Sequence, residues 1–131
     1  MHLLFVDDDL SILELLKVVI KDTTDHTLVT ASNASDAFDL LARPYAKKFD
    51  CFLLDIQMPG IDGIELCRNL RNRPEYTHAP IVMLTAMSEQ MYIDRAFAAG
   101  ADDYITKPFD LEELQERLDF FNNRIKDRRK K

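Results

Sequence analysis

The chain has 131 residues, 47% of them hydrophobic and 31% charged, the profile of one globular domain built on a single core. A formal net charge of -6 argues against a broad basic face, so direct nucleic-acid binding by this domain is not expected. No run of about 18 apolar residues is present to span a membrane. Residues 1–6 lack a basic n-region and run straight into Asp7, so they do not read as a signal peptide, and a cytoplasmic location is the expectation.

In chain order, the apolar run at 3–6 reads as a first strand, ending on Asp7, Asp8 and Asp9. Apolar residues spaced near 3.6 predict a helix over 12–21, with Asp9 as the cap that complements its dipole. A second strand over 28–31 leads to a helix over 34–42, opened by Asn33 with Asp36 three residues on. The third strand, 51–54, ends on Asp55. Pro59 and Gly60 then mark a loop, and Asp62 with Glu65 opens a helix over 64–71. The fourth strand, 81–84, is followed by Thr85 and a helix over 89–99. Gly100 punctuates the passage to a fifth strand, 104–106, which delivers Lys107; Asp110 with Glu113 opens the last helix, 111–125.

These strands are mostly continuous apolar runs, as strands covered on both faces are. Five βα units with short connections predict the α/β class: a doubly wound, five-stranded parallel sheet with five helices. Ligands bind such sheets beyond the carboxyl ends of the strands, where the strand order reverses. With the order 2-1-3-4-5, strands one and three are neighbours at that point, and Asp7, Asp8 and Asp55 converge on one crevice flanked by Thr85 and Lys107. Cys51 and Cys67 read as reduced core thiols, and His2, His26 and His78 lack metal-ligand spacing.

Carboxylates brought within about 4–5 Å of one another repel, at roughly 3–4 kcal/mol per close pair for an effective dielectric near 20. One lysine does not offset three acids, so the crevice calls for raised pKa values or a divalent cation. A hard, oxygen-preferring ion such as Mg²⁺ suits it. Beside such an ion a carboxylate can attack phosphorus and form an aspartyl phosphate, with the Thr85 hydroxyl and Lys107 ammonium as fixed donors.

Four segments carry a resemblance: Phe5-Val6-Asp7-Asp8-Asp9, Leu54-Asp55-Ile56-Gln57-Met58-Pro59-Gly60-Ile61-Asp62-Gly63, Leu84-Thr85-Ala86, and Gly100-Ala101-Asp102-Asp103-Tyr104-Ile105-Thr106-Lys107-Pro108-Phe109. In this order and at these separations they make the chain resemble the receiver domain of two-component response regulators, of the flavodoxin-like receiver superfamily, over essentially its whole length. The resemblance implies that Asp55 accepts a phosphoryl group from a sensor histidine kinase or phosphotransfer protein. It implies that Asp7, Asp8, Asp55 and the Gln57 backbone carbonyl hold Mg²⁺ (or Mn²⁺), and that Thr85 and Lys107 bind the phosphoryl oxygens. Tyr104 is then the switch aromatic whose rotamer couples to Thr85, and the Lys107–Pro108 bond is cis. Such a domain is no general enzyme: it catalyses only its own phosphorylation and dephosphorylation, and its conformation controls a fused or separate output. In one transcription-factor subfamily, receivers also form phosphorylation-linked homodimers through charge pairs. Asp103 and Arg117 fit one pair, but Ile93 stands where a basic partner for Glu113 is expected.

The remaining features bound the reading. Leu111, Leu114, Leu118, Phe121 and Ile125 form a heptad-like seam, and residues 124–131 are strongly basic, so a receiver over 1–121 with a basic helical extension over 122–131 is expected. The extension stops without a cap, Gly or Pro, which favours a receiver cut from a longer protein. The alternative reading is a haloacid dehalogenase-like phosphatase or phosphotransferase with Asp7 as nucleophile, since Asp7, Asp9 and Ser11 mimic its motif. A flavodoxin-like binder of a phosphorylated ligand is the third, against which three aspartates after the first strand would repel the phosphate.

Overall fold

In the computed structural model, which describes residues 1–44 and 46–129, five strands form one parallel sheet. They are β1 (His2–Val6), β2 (Thr27–Ala31), β3 (Cys51–Leu54), β4 (Ile81–Thr85) and β5 (Asp103–Thr106), in the order β2-β1-β3-β4-β5. Between and after them run α1 (Leu10–Thr23), α2 (Ala34–Leu41), α3 (Gly63–Arg71), α4 (Gln90–Ala98) and α5 (Leu111–Arg129). A single 3₁₀ turn, Pro74–Tyr76, was not expected from the sequence.

Right-handed crossovers dictate where the helices go. The chain moves one way from β1 to β2 and then reverses, so α1 covers one face while α2, α3 and α4 cover the other. Residues alternate accordingly along the strands. Leu4, Val6, Phe52, Leu54, Ile81 and Met83 pack with α2, α3 and α4. Leu3, Phe5, Leu53, Val82 and Leu84 pack with Leu13, Leu16 and Ile20 of α1 and Leu114, Leu118 and Phe121 of α5. Both faces are apolar, which is why the central strands β1, β3 and β4 read as nearly unbroken hydrophobic runs, while the edge strands β2 and β5 carry Thr27, Thr30, Asp103 and Thr106.

Helix ends follow side-chain chemistry. Asp9, Asn33 and Asp62 accept from the backbone N–H groups of Ser11, Asp36 and Glu65. Asp110 contributes its carbonyl to Leu114 N–H at 3.2 Å. The Asp9 cap starts α1 at Leu10, two residues ahead of the expected start, because Leu10 and Ser11 are exposed and add nothing to the buried spacing.

In the last helix, burial departs from the expected seam. Within the seam Leu114, Leu118 and Phe121 are buried, whereas Leu111 is 37% exposed and Ile125 half-buried. The helix runs unbroken across the expected boundary at 121/122 as far as Arg129. Its end is tied back to the domain: Arg128 donates to His78 O at 3.3 Å, and Arg129 lies 3.2 Å from Asp50. Lys130 and Lys131, part of the expected basic extension, lie outside the described residues. No helix among the described residues is long and apolar enough to cross a membrane.

Leu118→Ala is expected to cost about 2–5 kcal/mol of unfolding free energy, whereas Leu111→Ala stays within about 0.5 kcal/mol. Urea titration of the two variants measures the difference.

Candidate functional site

Val6 and Leu54 are register partners in adjacent strands, so the next residues, Asp7 and Asp55, emerge side by side at the switch point. The ladder continues one step beyond the strands: Asp7 N–H donates to Ala31 O at 3.1 Å and Asp55 N–H to Val6 O at 2.9 Å. Asp8 follows on the exposed side. One carboxylate oxygen from each of Asp7, Asp8 and Asp55 lies within 4.8 Å of the other two.

Thr85, wholly buried, closes β4, and its Oγ1 accepts Met87 N–H at 3.3 Å. Lys107 leaves β5 with its own N–H bonded to Thr85 O at 2.8 Å, and the Lys107–Pro108 peptide is cis. Its ammonium bridges two acids, 2.5 Å from Asp7 Oδ2 and 3.5 Å from Asp55 Oδ2. Asp7, Asp8, Asp55, Gln57, Thr85 and Lys107 all line one open cleft of about 490 Å³. Tyr104 is not in its lining; its hydroxyl donates to Met87 O at 2.6 Å, and Met87 is part of the wall.

Charge is unevenly distributed among the acids. Asp7 is fully buried, and burial lifts its pKa above the usual 3.8, against the pull of the Lys107 and Asp9 N–H hydrogen bonds; the Asp55 charge adds to the rise. Burial, with repulsion from Glu89, Asp55 and Tyr92, pushes the Tyr104 phenol up to about 12, so it stays a donor at neutral pH. Three clustered carboxylate oxygens, one of them open to solvent, against a single ammonium make a donor set that fits a hard divalent cation.

Two contributors escaped the sequence reading. Gly63 opens α3 directly against Asp55, where an added Cβ would lie 1.9 Å from the Asp55 carbonyl oxygen. A glycine at the first helical position, right after the Asp62 cap, was the available signal. Met87 joins the Thr85 hydroxyl to the Tyr104 hydroxyl through its backbone N–H and C=O. Backbone roles of that kind leave no mark on residue type.

Fold and cleft together define a flavodoxin-like α/β domain with an acidic, cation-ready switch point. The family model for the response regulator receiver domain matches residues 3–119, and the chain belongs to that family: it is a receiver domain of two-component signalling. It is similar to the transcriptional regulatory protein YvrH of Bacillus subtilis, 39% identical over 116 residues that cover 88% of this chain and 46% of the relative. The phosphate regulon transcriptional regulatory protein PhoB of Rhizobium meliloti is 49% identical over 77 residues, covering 59% of this chain and 34% of the relative. The chain thus spans less than half the length of these two curated relatives. Among solved structures, a two-component response regulator from Clostridium difficile superposes with a TM-score of 0.85 at 29% identity, covering 95% of this chain and 98% of that one. The response regulator TrrA of Thermotoga maritima, solved in complex with Mg²⁺ and BeF, gives 0.77 at 33% identity, covering 92% and 97%.

The haloacid dehalogenase-like alternative finds no support. The family match is to receivers, and Asp9 and Ser11 of the apparent motif make a helix cap. Asp7 itself has no exposed surface and both its oxygens are engaged, by Lys107 and by Asp9 N–H.

Two outcomes are expected. Since the folded Asp7 pKa is raised, the folded protein holds that proton more tightly than the unfolded chain. Metal-free protein therefore loses stability as pH rises from 3.8 through the raised value. Asp7→Asn is expected to flatten this loss and to raise Tm at pH 7 in a chelating buffer, read by thermal scans between pH 3.5 and 7.5. Gly63→Ala is expected to cost about 1–3 kcal/mol through overpacking and to shift the Asp55 amide resonance.

Proposed function

We propose that Asp55 is the residue this receiver uses to accept a phosphoryl group, with Asp7, Asp8 and the Gln57 backbone carbonyl completing a Mg²⁺ (or Mn²⁺) site. The observation that carries the reading is the setting of Asp55. Its carboxylate lines the open cleft beside both the acid cluster and the Lys107 ammonium, which lies 3.5 Å from Asp55 Oδ2, whereas Asp7 is wholly buried and more closely paired with that ammonium. When bound, the divalent ion supplies charge neutralisation to the acids and to the oxygens of the group being transferred.

The chain's own residues account for the rest. One Asp55 carboxylate oxygen attacks phosphorus of a phosphohistidine on a sensor histidine kinase or phosphotransfer protein. A P–O bond forms, the P–N bond breaks, and the imidazole leaves with the electron pair and takes a proton from solvent. On this reading Lys107 and the Thr85 hydroxyl donate to the phosphoryl oxygens, so charge developing on them meets fixed donors. Drawing Thr85 toward the phosphoryl group pulls on Met87 N–H, and Met87 O passes the change to Tyr104. Tyr104 and Thr85 are thus the switch pair. The activity is confined to the domain's own phosphorylation and dephosphorylation.

The relatives support a reading of the output. YvrH and PhoB are transcriptional regulatory proteins, and the receiver is proposed to act inside the cell on an output module, with 122–131, whose residues 122–129 continue α5, as the connecting segment. In a homodimer through paired charges, Arg117 would have to exchange its intrachain contact, Asp103 at 3.4 Å, for the same residue of a second copy.

Acetyl phosphate with Mg²⁺ is expected to add one phosphoryl group by intact mass, and none after chelation or in Asp55→Asn. Full labelling of Asp55→Asn would overturn the assignment. Lys107→Met is expected to slow the reaction by about 10²-fold, the scale of one lost donor to the transferring group.

A further inference from the structure

The two ends of α4 are held in very different ways. At its N-terminal end, Ala86, Ser88, Gln90 and Met91 are exposed, and the cap residue Glu89 makes no side-chain capping hydrogen bond. Side-chain restraint near this end comes from Thr85 Oγ1 to Met87 N–H and from the Tyr104 hydroxyl to Met87 O. Ala96, near the other end, is the buried residue of the helix.

At the C-terminal end one side chain gathers the chain together. Arg71, the last residue of α3, donates through Nε and Nη2 to Gly100 O at 3.1 and 2.6 Å. Its Nη1 donates to Tyr76 O and Thr77 O, each at 3.0 Å, and to Ala79 O at 2.8 Å. Nη2 also pairs with Asp102 Oδ2 at 2.9 Å, and that same oxygen accepts Ile81 N–H at 2.9 Å. The Asp102 N–H returns to Ile81 O at 2.8 Å. A guanidinium therefore ties together the end of α3, the turn before β4, the first residue of β4 and the segment joining α4 to β5.

The fit is specific to arginine and glycine. Four carbonyls and a carboxylate around one plane suit the forked donors of a guanidinium, which an ammonium does not reproduce. Gly100 has φ +111, and a Cβ there would sit 3.0 Å from Arg71 Cγ and Nε, so the close approach needs glycine. Next to it, Cys67 Sγ lies 3.7 Å from Ala99 O, and Ala99 and Ala101 are buried.

We propose that Arg71 is the fixed pin of a lever: α4 pivots about its C-terminal end while its N-terminal end follows Met87. The pin is a device of the fold and does not depend on the cation. The lever rests on the proposed function, because the pull on Met87 begins at Thr85 when Asp55 is occupied. Loss of the pin leaves the helix sliding as a body, which shortens the stroke delivered to the loop before it.

Hydrogen exchange read by mass spectrometry on the full chain tests this, in Mg²⁺ with and without beryllofluoride as the phosphoryl mimic. In the wild type, amides of residues 96–102 are expected to exchange at least about tenfold more slowly than those of 87–92, and beryllofluoride is expected to change only the second group. Arg71→Lys is expected to erase the gradient and to let the beryllofluoride response spread to 96–102. Asp102→Asn, which leaves the guanidinium in place, is expected to do so in part, and it carries the test if Arg71→Lys does not fold. Equal exchange at both ends of wild-type α4, or a beryllofluoride response that reaches both ends equally, would defeat the lever alone. A wild type with no response beyond that of Asp55→Asn would defeat the Asp55 reading and the lever with it.

Discussion

Asp7, Asp8 and Asp55 share one cleft with a single ammonium, and the rest of the molecule is arranged to hold that imbalance in place. Oxygens within 4.8 Å of one another repel by about 3–4 kcal/mol per ionised pair at an effective dielectric near 20. Left to a mobile loop, the three would move apart. Here Asp7 and Asp55 are fixed by ladder hydrogen bonds that extend β1 and β3, and those strands are buried on both faces. The sheet supplies the rigidity, and the acids pass on its cost as a demand for positive charge.

That demand explains why the opposite wall is built as it is. Lys107 reaches both Asp7 and Asp55 because β5 ends beside β4, with its backbone N–H bonded to Thr85 O. Charge at the β1–β3 edge is thereby linked through one residue to the ends of β4 and β5. A divalent cation held by Asp7, Asp8 and Asp55 would supply the positive charge these acids call for, and Lys107 would then be free to pair with other anionic oxygens in the same cleft. Gly63 makes a quieter contribution: without a Cβ, the start of α3 can press against the Asp55 carbonyl and close the β3–α3 loop over it.

Much of this was legible in the residues. Strands buried on both faces write themselves as continuous apolar runs, and four of the cleft residues directly end or follow a strand: Asp7 after Val6, Asp55 after Leu54, Lys107 after Thr106, with Thr85 closing β4. Asn33 and Asp62 announced their helices because a capping side chain must be one of a few polar types. What stayed hidden was backbone chemistry and reach. Arg71 looks like any basic residue at a helix end, since four of its acceptors are carbonyls that no residue type reveals. The tie-back of the α5 end was hidden for a related reason: residues 126–129 have no apolar period, and the anchors of Arg128 and Arg129, His78 O and Asp50, lie far away in sequence.

The two ends of the sheet consequently do different work. At the carboxyl end, three clustered carboxylates and one ammonium line the cleft. At the amino end, Arg71 with Asp102, and Asp50 with His2 N–H and Arg129, cross-link loops through contacts that involve none of the cleft residues. The helix between these ends, α4, is tied at its lower end to the cross-linked frame through Gly100 O, and near its upper end Met87 is hydrogen-bonded to Thr85 and Tyr104. On the proposed lever, movement begun at the cleft would appear as rotation of α4, and the displacement would grow toward the exposed first turn at Gln90 and Met91.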